Sequence, residues 1–184
     1  AIAEIEADMG SEARMLRLLQ GDVGSGKTLI ALMAMLVAVE AGRQAAMMAP
    51  TEILARQHHA TIMPLAEAAG IEVLLLTGRD KGKARAAALE RLAAGEIALA
   101  VGTHALFQDD VAFKDLALAV IDEQHRFGVH QRLTLAGKGR GTDILVTTAT
   151  PIPRTLMLAA YGDMDSSRLT EKPAGRQPID TRII

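Results

Sequence analysis

The sequence predicts an α/β domain built on a parallel sheet with helices on both faces. Three observations carry that expectation. Short apolar runs alternate with longer helix-forming stretches over most of the chain. The runs are nearly continuous in apolar residues, as strands covered on both faces are. Glycine and threonine stand where helices would end and begin. The 184 residues suffice for one domain with its own core, without disulfide or metal staples.

The elements follow in order. The first strand is expected at residues 15–19 and runs into a glycine-bearing turn. A helix at 27–41 comes next, apolar over 29–39 and closed by Gly42. Strand 45–49 leads to Thr51, whose hydroxyl suits the N-cap of a helix at 52–69. Pro64 lies inside that helix and should kink or split it. Gly70 ends it, strand 71–76 follows, and a helix at 81–94 stops at Gly95. Strands 97–101, 116–121 and 144–148 complete the set, with shorter helices near 129–136 and 153–160. After Tyr161 the alternation fades, and 171–178 reads as an extended linker. Residues 1–170 are therefore expected to form one domain, and 171–184 a linker.

Composition narrows the function classes. Hydrophobic residues make up 49% and charged residues 23%, which excludes disordered, collagen-like and coiled-coil chains. With no Cys there is no thiolate zinc site and no thiol nucleophile; a reducing compartment, the cytoplasm, is expected. The longest apolar run, 29–39, is far short of the ~20 residues that span a bilayer, so no membrane segment is expected. The start of the chain carries Glu4 and Glu6 where a signal peptide has basic residues. It also lacks an initiator Met, so the chain is expected to begin inside a longer protein. A formal charge of −2 gives no general nucleic-acid signature, so any such role must rest on local motifs.

Gly21-Asp22-Val23-Gly24-Ser25-Gly26-Lys27-Thr28 matches the phosphate loop G-x-x-x-x-G-K-S/T between an expected strand and an expected helix. Glycines let backbone N–H groups turn inward around phosphates, and the helix that follows adds the positive end of its dipole. Lys27 is expected to reach the β- and γ-phosphates of ATP, and the Thr28 hydroxyl to take a Mg2+ position. A simple strand-to-helix turn would need neither the lysine nor the hydroxyl.

The strand at 116–121 ends in Asp122 and Glu123. Ligands of open parallel sheets bind beyond the carboxyl ends of strands, the edge that also carries the phosphate loop. Asp122 is expected to hold Mg2+, and Glu123 to orient and deprotonate the attacking water. A solvated pair of strand-end acids is the alternative.

Taken together these segments resemble superfamily-2 helicases, and among them the RecG family of DNA helicases. Gly21 to Thr28 is like motif I. Ala49-Pro50-Thr51-Glu52-Ile53-Leu54-Ala55, with Gln57 and His58, is like motif Ia, and Val101-Gly102-Thr103-His104-Ala105-Leu106 like motif Ib. Asp122-Glu123-Gln124-His125-Arg126-Phe127-Gly128-Val129 is like motif II, and Thr148-Ala149-Thr150-Pro151-Ile152-Pro153-Arg154-Thr155 like motif III. The resemblance covers residues 19–182. The Mfd family of transcription-repair coupling factors shares this core; Gln124, where Mfd carries a second Glu, favours RecG.

The resemblance implies a RecA-like P-loop NTPase lobe of a DNA-stimulated ATPase that remodels replication forks and Holliday junctions in recombination and repair. It implies ATP between two such lobes, the second supplying arginine fingers, and an N-terminal wedge domain that splits branched duplex DNA. Neither partner domain fits in this chain, so the isolated lobe is expected to be weakly active; the resemblance also implies a monomer. The family's adenine-contacting Gln should lie upstream, and Gln20 is not evidently that residue. Thr148, Ala149 and Thr150 are implied to couple the γ-phosphate state to DNA grip; plain strand-end hydrogen bonding is the alternative.

Pro50, Thr51, Thr103 and His104 fall at expected strand ends, where hydroxyls and helix N-termini bind phosphates without reading bases. Only Tyr161 and three Phe are aromatic, which disfavours base stacking on single strands and suits duplex backbone tracking. Lys81, Lys83, Arg85 and Arg91 form a basic stretch that is either a solvated face or a phosphate contact. His58 and His59, adjacent on a helix, do not share a face and are expected to be ordinary helix histidines. A stand-alone binding module with a vestigial site, or a metabolic P-loop enzyme, are the remaining alternatives.

Overall fold

A computed structural model describes residues 1–122, 141–150 and 164–170. Its elements are α1 (Ile2–Met9), β1 (Leu16–Gly21), α2 (Lys27–Glu40), β2 (Gln44–Met48), α3 (Glu52–Ala68), β3 (Val73–Leu76), α4 (Gly82–Ala94), β4 (Leu99–Gly102), a 3₁₀ turn (His104–Phe107), β5 (Leu116–Asp122), β6 (Asp143–Thr148) and β7 (Asp165–Leu169). The strands form one sheet in the order β3-β4-β2-β5-β6-β1-β7. All of these pairings are parallel.

Alternation along each central strand divides the apolar side chains between two cores. Leu19, Met47, Val101, Leu118, Val120 and Leu145 face one side, beneath Ile5 of α1, Ala31, Leu32 and Met35 of α2, and Ile62 and Ala66 of α3. Leu18, Met48, Ala100, Ala119, Ile121 and Val146 face the other, beneath Leu92 of α4 and Leu106 and Phe107 of the 3₁₀ turn. Helices thus cover both faces, and the central strands are buried on both, which is why their sequences lack in-out alternation.

The strand expectations hold to within a residue or two at their ends. Thr51 caps α3 by accepting the Leu54 N–H at 3.3 Å. Gly42, Gly70 and Gly95 have φ of 75°, 72° and 79°, the left-handed conformation expected after a helix. Pro64 does not split α3, which runs from Glu52 to Ala68 as one helix. Besides the 3₁₀ turn, two elements go beyond the expectation. Helix α1 precedes the first strand and is anchored by Ile5, fully buried. Strand β7 lies where the alternation fades; it is a polar edge strand in which Ser167 is the buried residue, so no apolar run marks it. The helices expected near 129–136 and 153–160, and the linker at 171–184, lie outside the described residues.

β1 and β2, consecutive in sequence, are separated in the sheet by β6 and β5. As a result β5, β6 and β1 lie side by side, and their carboxyl ends bring three distant sequence segments to one edge.

Candidate functional site

The loop after β1 is shaped by close approach and by positive φ. A Cβ at Gly21 would lie 2.5 Å from Ser25 Oγ and 2.9 Å from Leu169 Cβ, so the packing of β7 against the loop leaves room only for glycine. Gly24 and Gly26 have φ of 81° and 91°, and Gly26 is the N-cap of α2 with no side chain to occupy the helix's first N–H groups. Lys27 Nζ donates to the carbonyls of Gly21 at 2.7 Å and Asp22 at 2.9 Å, folding the cation over the loop. Asp22, Val23 and Gly24 are exposed, and Thr28 is half-buried at the start of α2.

Ser25 Oγ is buried and has no hydrogen-bond partner within the protein. An orphan of this kind costs about 1–3 kcal/mol. A buried donor, a lysine ammonium and a 14-residue helix N-terminus converge here, and this donor set fits the phosphates of a nucleotide. Beside the loop is a cavity of about 440 Å³ lined by Ser25, Leu29, Ile30, Met33 and Leu169 among others, apolar enough to accept a flat organic group.

Asp122 closes β5, and both of its carboxylate oxygens are engaged. The register pairs it with Thr147 of β6, whose hydroxyl donates to Oδ1 at 2.5 Å. His58 of α3 holds Oδ2 through Nε2 at 2.7 Å. Burial pushes the carboxyl up, but hydrogen bonds from His58 and Thr147, with the charges of His58 and Lys27, outweigh it and hold Asp122 below the usual carboxylate range. An ionised oxygen donor on Asp122 and the Thr28 hydroxyl suit Mg2+, which needs few protein ligands when phosphates and water complete its shell. Among the described residues there is no cluster of three or more His, Cys, Asp or Glu that would hold a metal by itself. Glu123 lies outside the described residues.

The end of β6 is tied to the phosphate loop by a residue that the sequence reading weighs only as an adenine contact. Gln20, immediately before the loop, donates to the Thr150 carbonyl at 3.1 Å. Thr148 is fully buried and its Oγ1 accepts the Thr150 N–H at 3.2 Å; Ala149 is half-buried and Thr150 exposed. Thr147, rather than Thr148 or Thr150, touches Asp122. Position parity on the strand marks Thr147 and Leu145 as sharing a face, yet only the β5–β6 register shows what Thr147 meets. His58 also departs from expectation: it reaches Asp122, whereas His59 Nε2 faces the Val73 carbonyl at 3.1 Å.

The candidate nucleic-acid residues lie at the ends of β2 and β4, beside the phosphate-loop half of the same edge. Thr51 is exposed and Pro50 half-buried. His104 is exposed, but Thr103 is 6% exposed and its hydroxyl accepts the Ala105 N–H at 3.4 Å. Burial and capping engage the Thr103 hydroxyl within the turn itself. Gly102 allows this turn, since a Cβ there would lie 2.1 Å from the Leu76 carbonyl oxygen. In the basic stretch, Arg85 pairs with Asp110 at 3.1 Å and Arg91 with Glu72 at 2.6 Å, while Lys81 and Lys83 are exposed. Among the described residues no helix is long and apolar enough to cross a membrane.

Comparison with known proteins agrees with this geometry. A model of the DEAD/DEAH box helicase family matches residues 2–158. The ATP-dependent DNA helicase RecG of Pasteurella multocida (strain Pm70) is 56% identical over 185 residues, covering 98% of this chain and 27% of the relative. That of Bacillus subtilis (strain 168) is 57% identical over 180 residues, covering 98% and 26%. A solved structure of RecG bound to a three-way DNA junction superposes with a TM-score of 0.82 at 46% identity, over 96% of this chain and 24% of that one. The Hef helicase domain of Pyrococcus furiosus, 22% identical with a TM-score of 0.67 over 91% of this chain and 38% of that one, shares the fold. The chain spans about a quarter of the length of the RecG relatives it matches.

Proposed function

This chain belongs to the DEAD/DEAH box helicase family, and from that premise we propose that it is the ATP-binding motor lobe of a RecG-like helicase acting on branched duplex DNA. The observation that carries the proposal is the meeting of the phosphate loop, Asp122 and the 147–150 segment at the carboxyl ends of adjacent strands β1, β6 and β5. Residues 1–170 are the lobe and 171–184 lead toward a second RecA-like lobe. That lobe and an N-terminal wedge domain are the partners the reading requires, in a cytoplasmic monomer.

In this reading Gly21 to Thr28 bind the phosphates of ATP. Lys27 exchanges its two loop carbonyls for phosphate oxygens, a better match for an ammonium because the new acceptors are charged. Thr28 and Asp122 hold Mg2+, which when bound supplies Lewis-acid stabilisation of charge on the phosphates. Glu123 positions the attacking water and accepts its proton. Gln20, Thr148, Ala149 and Thr150 form the path by which the nucleotide state reaches the second lobe: Gln20 joins the strand entering the loop to the Thr150 carbonyl. Pro50, Thr51 and the turn at Thr103 and His104 contact the DNA backbone, with the N-terminus of α3 offering N–H groups to a phosphate.

The test uses the full-length protein that carries this lobe. Lys27→Ala is expected to abolish binding of a fluorescent ATP analogue. Glu123→Gln is expected to bind it normally while DNA-stimulated hydrolysis stops. Hydrolysis retained in Glu123→Gln would remove that residue as the water-activating group, and stimulation by a small molecule instead of DNA would overturn the motor assignment.

A further inference from the structure

His58 occupies a position where helix α3 would ordinarily carry a core residue. Ala55, Ile62 and Ala66 of the same helix are fully buried or nearly so, and spacings of three and four residues place His58 on their face. Its side chain is 13% exposed, and that of Asp122 is 12% exposed. An imidazole on an apolar stripe must have a partner for its polar atoms, and here the partner is the carboxylate assigned to Mg2+. His59, next in sequence, has no such reach and faces the Val73 carbonyl.

The two hydrogen bonds on Asp122 come from different directions. Thr147 belongs to the strand beside β5, so its bond follows from sheet register. His58 belongs to a helix packed over the sheet, 64 residues away in sequence. The same helix begins at Thr51, the exposed N-cap, seven positions and roughly two turns before His58. A rigid helix therefore has the candidate phosphate contact at one end and a grip on the magnesium carboxylate within its second turn.

We propose that His58 is a positioning residue of the ATP site: by holding Oδ2 it orients the Asp122 carboxylate for Mg2+ and ties that carboxylate to the helix whose N-terminus meets DNA. The inference rests on the assignment of Asp122 to Mg2+ made above. Of the two oxygens, Oδ1 is set by the sheet, and His58 determines how the other is presented. Residues that orient a metal's ligands in this way typically alter metal affinity by about 10- to 100-fold when removed.

The experiment compares His58→Leu, His58→Gln and His58→Asn in the full-length protein, with His59→Gln as the control. The first readout is the Mg2+ concentration at half-maximal binding of a non-hydrolysable fluorescent ATP analogue, together with its affinity in EDTA. The second is the ratio of DNA-stimulated to basal hydrolysis. A Gln amide nitrogen stands about where Nε2 stands, while that of Asn is too short to reach.

His58→Leu is expected to raise the Mg2+ midpoint about tenfold or more while the affinity in EDTA stays unchanged, and to lower the stimulation ratio. His58→Gln should restore both, and His58→Asn should not. If His58→Leu fails to fold, the Gln and Asn variants decide: equal Mg2+ midpoints in the two would overturn the proposal, as would an unshifted midpoint in a folded Leu variant. Asp122→Asn is run alongside. If it too leaves the midpoint unmoved, the assignment of Asp122 to Mg2+ fails and this inference falls with it; if only His58 is silent, the inference alone fails.

Discussion

The amino and carboxyl ends of the sheet carry similar polar side chains and treat them differently. At the amino end Gln44, 4% exposed, donates to the carbonyls of Leu92 and Ile97 and accepts the Asp115 N–H. Arg17 binds Asp8 and Ser167, Thr142 donates to the Leu116 carbonyl, and Asp143 accepts the Met15 N–H. At the carboxyl end Ser25 Oγ has no partner, Lys27 rests on the carbonyls of its own loop, and the helix after it has no side-chain cap. The first end closes on itself and the second keeps donors in reserve. A polar group satisfied within the protein contributes to stability, whereas one left unsatisfied is a cost that a ligand can remove.

The largest effect that would sharpen this contrast is Gln44→Ala. It strands the Ile97 carbonyl, takes the side-chain acceptor from the part-buried Asp115 N–H and leaves the Leu92 carbonyl with the Gly95 N–H alone, and should cost about 2 kcal/mol or more in chemical denaturation. Affinity for an ATP analogue under native conditions should stay within about twofold. A weakened nucleotide site in a folded variant would mean that the amino end is not purely structural.

Ser25→Ala should behave in the opposite way. Removing an orphan hydroxyl leaves the ligand-free stability unchanged or slightly raised, while the affinity for the analogue falls about tenfold, or ~1.4 kcal/mol. A stability loss with unchanged affinity would place Ser25 with the closed set.

The smallest effect concerns pH. Burial pushes the Asp143 carboxyl up, with the Met15 N–H, Arg43 and Arg14 opposing and Asp8 adding to the rise. A carboxyl raised in the folded state binds its proton more tightly there than in the unfolded chain, so stability falls as pH rises from the unfolded value through the folded one. An asparagine amide at this position has no such proton. In paired denaturation series, Asp143→Asn should therefore gain relative to the parent as pH is raised from acid to neutral. A constant difference between the two curves would show that the burial of Asp143 carries no electrostatic cost.

How much of this could be read in advance differs by element. The central strands announce themselves because burial on both faces makes them apolar throughout, as in Ala45, Ala46, Met47 and Met48. The N-cap at Thr51 and the glycines ending helices were legible because capping is local chemistry. Strand β7 was not, since an edge strand needs few apolar residues and its backbone partners belong to β1, 148 positions away at Arg17 and Asp165. At the site the phosphate loop was readable residue by residue, but Thr103 looked like a surface residue until the turn at Gly102 buried it.

His58 shows where the limit lies. Periodicity identifies the face of a helix without identifying what lies across from it. The sequence by itself determined the phosphate loop, with glycine where φ is positive at 24 and 26, and the strand ends that carry Lys27 and Asp122 toward one edge. Tertiary structure alone decided that Asp122 is held by His58 and Thr147, and that Gln20 reaches Thr150. The reason is physical: local propensities and sterics act over a few residues, whereas strand order and register are settled by how whole elements pack.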